Sequence, residues 1–303
     1  MIPSNENEKD NMCNLKNIIL PALMAVLTIT SLQAQEKPHV VFVVGTPHYN
    51  PKDSMAGLAK QMVELGWKAT VIDTDYNAEG NEKGIPGLEA LQDADLAVLY
   101  LRFLALKPDQ FAHIENYLKS GGPVLAFRTT NHAFRFPRES KLADWNREFG
   151  VRVTGSRYYP HSNQKTNVLI VNPHEILTGV DISPSREAAG TLYTVDAPKN
   201  ATVLLEGESY FNNKNNKHDK VRKVLSEMDS QGNGKDDVFW LWENEWGGKV
   251  IYSSIGHPVS FRDTNWVRLF VNSIHWLVEK PVPPPGVKIK PIDAGTIINT
   301  VYK

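Results

Sequence analysis

Cysteine is almost absent from this chain. The single cysteine, Cys13, precedes an apolar N-terminal run that we expect to be removed, so the mature chain should have no thiol. Without a thiol there is no cysteine nucleophile and no disulfide. The sequence also lacks a Gly-x-Ser-x-Gly elbow, and Ser253 and Ser254 fall inside an apolar strand pattern. These absences argue against an acyl-enzyme mechanism through cysteine or serine.

An excess of charge of either sign is also missing. The chain has 33 lysine and arginine residues against 34 aspartate and glutamate residues, a formal net charge of -1, and the charges are scattered. Neutralising the phosphates of a nucleic acid requires a clustered basic surface. We therefore expect no nucleic-acid partner, and a hydrophobic content of 41% fits an ordinary globular protein.

The N-terminal apolar run is too short to span a bilayer comfortably. Met12 has the position of a start residue, Lys16 gives a thin positive region, Ile18–Ile29 form the apolar core, and Ala34 ends a small-residue cleavage site. This order is typical of a secretory signal peptide. The alternative, a buried N-terminal helix, is less favoured because no polar residues mark one face of the run. We expect residues 1–34 to be a signal and the mature protein to be periplasmic or secreted, with no membrane span.

A proline-rich segment, Pro281–Pro285, marks the end of the main domain. We assign residues 36–280 to one α/β domain, whose size suits a single core. Residues 281–303 form a C-terminal tail, which its prolines should keep extended.

Strand and helix patterns alternate through the first half of the domain. Predicted strands occupy His39–Val44, Lys68–Ile72, Leu96–Leu101 and Val124–Phe127. Asp53 is placed to cap one intervening helix, and Pro108 to begin another. Because Val124–Phe127 is apolar on both faces, helices should cover both sides of the sheet. The pattern predicts an α/β fold with a flavodoxin-like, doubly wound and mostly parallel sheet.

The second half of the domain continues the strand signals. Further strands are predicted at Val168–Val171, Val203–Leu205, Val238–Trp242 and Val250–Ser254. The last two should form a hairpin across Glu245–Gly248, and Asp263 should cap a final helix. Trp240 and Trp242 share one strand face and are interpreted as core residues. Trp246, Tyr158 and Tyr159 stay open as residues that could stack on a sugar ring.

Polar residues follow the predicted strand ends. His48, Asp73, Asp75, Arg102, Arg128, His132 and His257 all come just after a strand. Ligands of open α/β sheets bind at the carboxyl ends of the strands. Arginine matches carboxylates and phosphates, and histidine transfers protons near neutral pH. The set predicts a site for an anionic or hydroxyl-rich ligand. The alternative for each residue alone is a structural hydrogen bond to a loop.

Several motifs together resemble the ThuA-like family. They are Val43–His48, Ala126–Phe134, Asn172–Gly179, and Gly248–His257 followed by Asn272-Ser-Ile-His-Trp276. The resemblance covers roughly residues 39 to 279. It implies a class I glutamine amidotransferase-like, flavodoxin-like fold and a role in sugar metabolism. Trehalose-related disaccharides and their keto-sugar forms are the implied substrates.

One position departs from the pattern that the resemblance implies. Arg128 occupies the turn where class I amidotransferases carry the nucleophilic cysteine. A guanidinium cannot act as a nucleophile, so the chain is not expected to be a cysteine-dependent amidotransferase. The expected catalytic residues are His132, His48 and His257, acting as acid and base. Arg128, Arg102, Tyr158 and His161 are expected to bind substrate.

The reaction class stays open at this stage. A hydrolase, lyase or isomerase of a disaccharide, glycoside or keto-sugar derivative fits the histidines. Glycoside hydrolysis needs a carboxylate pair, for which Glu187, Glu206, Glu208 and Glu243 are available without a pairing. The alternative function is a noncatalytic carbohydrate-binding or scaffold protein that retains the fold without its nucleophile.

No cofactor is firmly implied by the sequence. A divalent metal such as zinc is a low-ranked alternative, with His48, His132 and His257 as three ligands and water as the fourth. The three histidines come from separate segments rather than from a helical His-x-x-x-His pair, which disfavours this interpretation.

Overall fold

The apolar runs of the sequence form the strands of one mixed sheet. The structure is a computed structural model that describes residues 36–74, 84–157, 166–190, 192–193, 195–209 and 235–295. The strands are β1 His39–Gly45, β2 Lys68–Asp73, β3 Leu96–Leu101, β4 Val124–Phe127, β5 Thr166–Ile170, β6 Arg186–Ala188, β7 Thr202–Ser209, β8 Lys235–Glu243 and β9 Lys249–Ser253. Their order across the sheet is β2-β1-β3-β4-β9-β8-β7-β5-β6.

The sheet has a parallel part and an antiparallel part. Strands β2, β1, β3, β4 and β9 pair in parallel, whereas β9, β8, β7, β5 and β6 pair antiparallel. The prediction of an α/β fold is confirmed, but the sheet is mixed rather than mostly parallel. The predicted hairpin is confirmed between β8 and β9, where Asn244 accepts bonds from the amides of Trp246 and Gly248, both at 3.0 Å. A tight turn of this kind can only join antiparallel strands.

Helices cover both faces of the parallel part. Among the described residues the α-helices are α1 Lys52–Glu64, α2 Pro108–Lys119, α3 Trp145–Phe149 and α4 Thr264–Leu277. Phe42 of β1 packs in one core with α1 and α4, whereas its neighbour Val43 packs in a second core with α2 and α3. Alternate strand residues point to opposite faces, so one apolar strand supplies both cores. Within the described residues, no helix combines the length and apolarity needed to cross a membrane.

One of the two predicted aspartate caps is confirmed. The Asp263 side chain accepts a bond from the amide of Asn265 at 2.9 Å and begins α4. The prediction for Asp53 is wrong, because α1 begins at Lys52 with Pro51 before it and has no side-chain cap. Asp53 lies in the first turn of α1, where a negative charge still interacts favourably with the helix dipole.

The described part of the C-terminal tail packs against α1 and α4. The Lys290 amide donates to Gln61 Oε1 at 2.9 Å, and the Ile292 amide donates to the Phe261 carbonyl at 2.8 Å. Ile289 and Ile292 are each 7% exposed and belong to the core on this face. The tail up to residue 295 therefore contributes to the core that α1 and α4 share.

Candidate active site

Strand β4 ends in a turn with an unusual backbone. Arg128 follows Phe127 directly and has a φ of 43°, in the left-handed region that non-glycine residues rarely adopt. A 3₁₀ turn then runs from Arg128 to His132. The Tyr252 hydroxyl donates to the Arg128 carbonyl at 2.9 Å, and Arg128 Nη1 donates to the Ser254 carbonyl at 2.8 Å. Strand β9 and the residue after it thus fix both the backbone and the side chain of Arg128.

The Arg128 side chain is fully buried among tyrosines. Its guanidinium carbon lies 5.1 Å from the centre of the Tyr193 ring and 5.5 Å from that of Tyr49. Burial acts to lower the pKa of Arg128, but Tyr193, Tyr100 and Tyr49 act in the opposite direction and the pKa is raised. Arg128 therefore stays charged beneath the rim of the sheet, with no surface exposed to solvent.

His48 and His257 meet at Tyr49. The ring centres of His48 and Tyr49 are 3.9 Å apart, and those of Tyr49 and His257 are 4.8 Å apart. The loops after β1 and β9 therefore bring these two histidines to one place, as their position after strands predicts. Both side chains are half-buried.

His257 is held as a neutral ring. Its Nδ1 accepts a bond from the amide of Val259 at 3.3 Å, so Nδ1 has no proton. Burial, followed by the nearby charge of Arg128, lowers the pKa of His257 to about 4. Near pH 7 the ring therefore has its proton on Nε2 and can donate a hydrogen bond there.

His132 has the opposite tautomer. Its Nδ1 lies 2.6 Å from Asn131 Oδ1, and the amide of Asn131 donates to the Arg157 carbonyl at 3.5 Å. This assignment makes Oδ1 an acceptor, so the proton of the neutral ring is on Nδ1. Nε2 then has the lone pair, which a general base needs. The ring is 7% exposed and contacts Phe103 and Tyr193, with ring centres 5.0 Å and 5.7 Å away.

His132 lines a cavity of about 360 Å³ that opens beside the ends of β3 and β4. We call this space the His132 cavity. Its lining residues are Phe103, Asn131, His132, Phe134, Arg135, Asn146, Arg147 and Arg157. The volume lies within the range of small-molecule sites.

Backbone bonds join the two loops that form the cavity. The Phe103 amide donates to the His132 carbonyl at 3.2 Å, and the Leu104 amide donates to the Ala133 carbonyl at 2.7 Å. The Arg135 amide then donates to the Leu104 carbonyl, also at 2.7 Å. The loop after β3 and the turn after β4 therefore form one continuous wall, because their backbones pair as short strands do.

A second wall comes from α3 and the residues after it. Both groups of the Asn146 amide bond to the backbone of Phe136, at 2.6 Å and 2.9 Å. Gly150 lies so close to the Asn131 carbonyl that an added Cβ would stand 2.3 Å from that oxygen. This approach returns the chain to the cavity and brings Arg157 to its edge.

The structure brings together only some of the predicted site residues. His48 and His257 do not line the His132 cavity. The two groups are linked indirectly, because Tyr193 contacts His132 and Arg128, and Arg128 in turn contacts Tyr49. The guanidinium of Arg102 lies 4.6 Å from the Phe103 ring centre. Tyr158, His161 and Asp75 lie outside the described residues.

The three-histidine zinc site is not assembled. Within the described part of the chain, no group of three or more histidine, cysteine, aspartate or glutamate side chains could hold a metal ion. The described glutamates that sequence analysis offered for a carboxylate pair, Glu187, Glu206 and Glu243, do not line the His132 cavity.

Sequence analysis missed most of the cavity. Arg135 and Asn131 belong to the same segment as Arg128 and His132, so their nearness could have indicated a role. Arg147 and Arg157 gave no such signal, because they reach the cavity through the packing of α3 and the segment after it. Tyr49 and Tyr193 were also not predicted.

Comparison with known proteins gives a likeness in fold. No family model and no curated protein matches the chain. Among solved structures, a protein described as ThuA-like from Parabacteroides merdae is 12% identical, with a TM-score of 0.55, and the match covers 88% of this chain and 98% of that one. At this identity the match shows a shared fold and does not transfer an activity.

Two proteins from Salmonella typhimurium that are described as cytoplasmic are also similar. Each is 13% identical to this chain, with TM-scores of 0.49 and 0.48. The matches cover 79% and 78% of this chain and 99% and 98% of the Salmonella proteins.

Proposed function

We propose that this protein processes a disaccharide, glycoside or keto-sugar derivative in the His132 cavity, with His132 as the group that moves a proton. One observation carries the proposal. Asn131 fixes the Nδ1 proton of His132 at 2.6 Å, which leaves Nε2 as the basic nitrogen of a ring that lines the cavity. A general base requires this combination of tautomer and access.

The lining residues favour proton transfer beside a sugar carbonyl. His132 Nε2 would take a proton from the carbon next to the carbonyl, and a lining arginine would stabilise the negative charge that develops on the oxygen. In an isomerisation the same ring returns the proton to the neighbouring atom. In an elimination the C–H electron pair forms the new double bond while the leaving group departs with its own bonding pair.

A carboxylate-pair glycosidase mechanism is less well supported. Retaining and inverting glycosidases place two carboxyl groups around the bond they cleave. Among the described residues, those that line the His132 cavity include no aspartate or glutamate. We therefore place the protein with the lyases and isomerases of sugar derivatives rather than with these hydrolases.

A turnover panel with two matched variants tests the proposal. His132→Gln removes the basic nitrogen, whereas His113→Gln makes the same change at an exposed histidine of α2. Keto-disaccharides and their glycosides, in neutral and in acidic forms, are incubated with each protein, and products are followed by mass spectrometry. We expect turnover by the wild type and by His113→Gln, and none by His132→Gln, which should still bind the sugar in calorimetry. Binding without turnover by the wild type on every sugar would contradict the proposal.

A noncatalytic carbohydrate-binding protein is the second candidate. The observation that favours it is Arg128, which fills the turn where amidotransferases of this fold carry their nucleophile and is fully buried there. That turn offers a ligand no reactive group. The panel above decides between the two, because a binding protein would retain sugar affinity and show no product.

We also propose that the chain is a ThuA-like protein whose parallel strands form a flavodoxin-like, doubly wound unit. The order β2-β1-β3-β4-β9, with helices on both faces, supports this arrangement. The match to the Parabacteroides merdae protein supports the family. A solved structure with a different crossover hand for these strands would contradict the arrangement.

Export to the periplasm or beyond is proposed from residues 1–34 alone. Expression of the full chain in a Gram-negative host tests it. Mass spectrometry of the periplasmic fraction should give a protein that begins after Ala34, near Gln35. An uncleaved chain confined to the cytoplasm would contradict export.

A further inference from the structure

The charged side chains that line the His132 cavity are all positive among the described residues. Three arginines, Arg135, Arg147 and Arg157, line it, and no carboxylate does among the described residues. Two nearby acids pair with a residue outside the lining. Glu148 and Glu245 both bond to Arg152, which is not a lining residue. Asp144 reaches Arg147 only at 4.0 Å, between two side chains that are 79% and 82% exposed, which is a weak ion pair. The cavity therefore has an excess of positive charge that its own walls do not neutralise.

The three arginines come from separate and fixed parts of the chain. Arg135 is held by its backbone bond to Leu104, and its guanidinium carbon lies 4.1 Å from the Phe103 ring centre. Arg147 is on α3, next to Asn146, whose side chain bonds to Phe136 on both sides. The carbonyl of Arg157 accepts the amide bond of Asn131. The three arginines start from different positions around one space, and their exposed side chains can converge on a single anionic group.

The remaining lining residues suit the rest of a sugar. The side chains of Phe103 and Phe134 give the lining an apolar part that suits a sugar ring, whereas the amides of Asn131 and Asn146 already bond to His132, Arg157 and Phe136. A space of about 360 Å³ fits one or two sugar rings. A neutral sugar would offer these arginines no opposite charge, whereas an acidic sugar would pair with them.

We propose that the substrate is an anionic sugar, whose carboxylate or phosphate is bound by Arg135, Arg147 and Arg157 while its ring lies against the phenylalanines near His132. This inference rests on the proposed function for the position of the reacting carbon, and it adds the charge of the substrate. Arginine binds both anions through paired N–H donors. A carboxylate on the sugar also acidifies the neighbouring carbon once it is neutralised by these cations, which suits proton removal by His132.

Calorimetric titration with four probes tests the inference. The probes are glucose and trehalose, which are neutral, glucuronate, which has a carboxylate, and glucose 6-phosphate, which has a phosphate. We expect at least one anionic probe to bind at least roughly tenfold more tightly than glucose, and the difference to shrink as sodium chloride is raised. Tighter binding of glucuronate would indicate a carboxylate site, and tighter binding of glucose 6-phosphate would indicate a phosphate site.

Arginine variants link the effect to the cavity. Arg147→Gln and Arg157→Gln should each lower the affinity for the preferred anionic probe roughly tenfold, since a charge-assisted bond is lost. The affinity for glucose should not change. Arg138→Gln is the matched control, because Arg138 is exposed and does not line the cavity. Equal binding of neutral and anionic probes, or equal losses in Arg138→Gln, would overturn the inference. Turnover of neutral sugars alone would overturn it while sparing the proposed function. Tight anion binding with no turnover of any sugar would overturn the proposed function and support the anion site.

Discussion

The Nδ1 nitrogen of His132 and the Oδ1 oxygen of Asn131 are 2.6 Å apart. The two residues are neighbours in the chain, and the 3₁₀ turn after β4 places both side chains at one edge of the cavity. The amide oxygen can only accept, so it selects the tautomer of the ring. His257, which does not line the cavity, is held in the opposite tautomer by the Val259 amide. One rim of the sheet thus presents a basic ring nitrogen and, beyond Tyr193 and Arg128, a ring nitrogen that donates.

Replacing the amide of Asn131 by a carboxylate should change the pH profile of the reaction. In Asn131→Asp a negative charge faces the His132 ring and favours its protonated form. The pH at which half of the maximal rate is reached should therefore rise by about one unit or more. Asn146→Asp is the control, because it adds the same charge to the cavity on a residue that bonds to Phe136. Equal shifts in both variants would show that Asn131 has no specific role.

His257 should make the protein less stable as the pH falls. Its pKa is about 4 in the folded state and near 6.5 when unfolded, so the unfolded chain binds more protons between these values. The stability from this group is complete above pH 6.5 and is lost as the pH falls towards 4. After allowance for its partial exposure, the loss should be about 1 to 2 kcal/mol.

The variant His257→Asn tests this pH dependence. Asparagine keeps an acceptor for the Val259 amide but does not titrate. Denaturant unfolding at pH 7 and at pH 5 should show a smaller loss of unfolding free energy for His257→Asn than for the wild type. The exposed-histidine control, His113→Asn, should behave as the wild type does. An unchanged pH dependence in His257→Asn would mean that His257 titrates normally in the folded protein.

The positive φ of Arg128 predicts that glycine is more stable than alanine at this position. Both Arg128→Gly and Arg128→Ala lose the bond to the Ser254 carbonyl, and both should be less stable than the wild type. Glycine accepts a φ of 43° without a Cβ clash, so Arg128→Gly should be about 1 kcal/mol more stable than Arg128→Ala.

The next residue provides the control for this comparison. Thr129 lies in the same 3₁₀ turn, without a positive φ. There the order should reverse, with Thr129→Ala more stable than Thr129→Gly. Thermal unfolding of the four variants measures both differences. Alanine as stable as glycine at position 128 would mean that the turn relaxes to an ordinary backbone.

The C-terminal tail should contribute measurably to stability. Ile292 is 7% exposed, and an added Cβ at Gly57 would stand 2.1 Å from its Cγ2 atom, so the two segments are in close contact. Ile292→Ala should lower the unfolding free energy by about 3 kcal/mol. Val63→Ala, at a side chain that is 54% exposed, should change it little. Truncation after Lys280 should destabilise the protein at least as much as Ile292→Ala. Equal stability of the full and truncated chains would show that the tail is not part of the core.

The sequence predicted the strands better than the sheet they form. Val124–Phe127 could be identified as a fully buried strand because its burial is a local property of four apolar residues. The pairing of β7 with β5, and of β5 with β6, depends on partners far apart in the chain and left no local pattern. Trp240 is buried as predicted, whereas Trp242 packs against the core but is only half-buried, and its indole nitrogen donates to Asn200.

Candidate site residues could be predicted where they directly follow a strand. Residues that reach the cavity through tertiary packing could not. His132, His48 and His257 could be proposed from the sequence because each follows an apolar run, and of the three only His132 lines the cavity. The sequence placed Arg128 in the turn after β4. The orientation of its side chain depends on a positive φ and on bonds to Tyr252 and Ser254, which the sequence pattern does not reveal. Arg147 and Arg157 line the cavity through packing, in a region where Gly150 lies close to the Asn131 carbonyl.

The most direct test of the account is the exchange of deuterium from heavy water into a keto-sugar. NMR would follow the proton on the carbon beside the carbonyl in the presence of the wild type, His132→Gln and His113→Gln, with calorimetry to show that each protein binds the sugar. The account predicts that the wild type and His113→Gln exchange this proton well above the uncatalysed rate, and that His132→Gln binds the sugar without exchanging it. Exchange by His132→Gln at the rate of the wild type would contradict the central role given to His132.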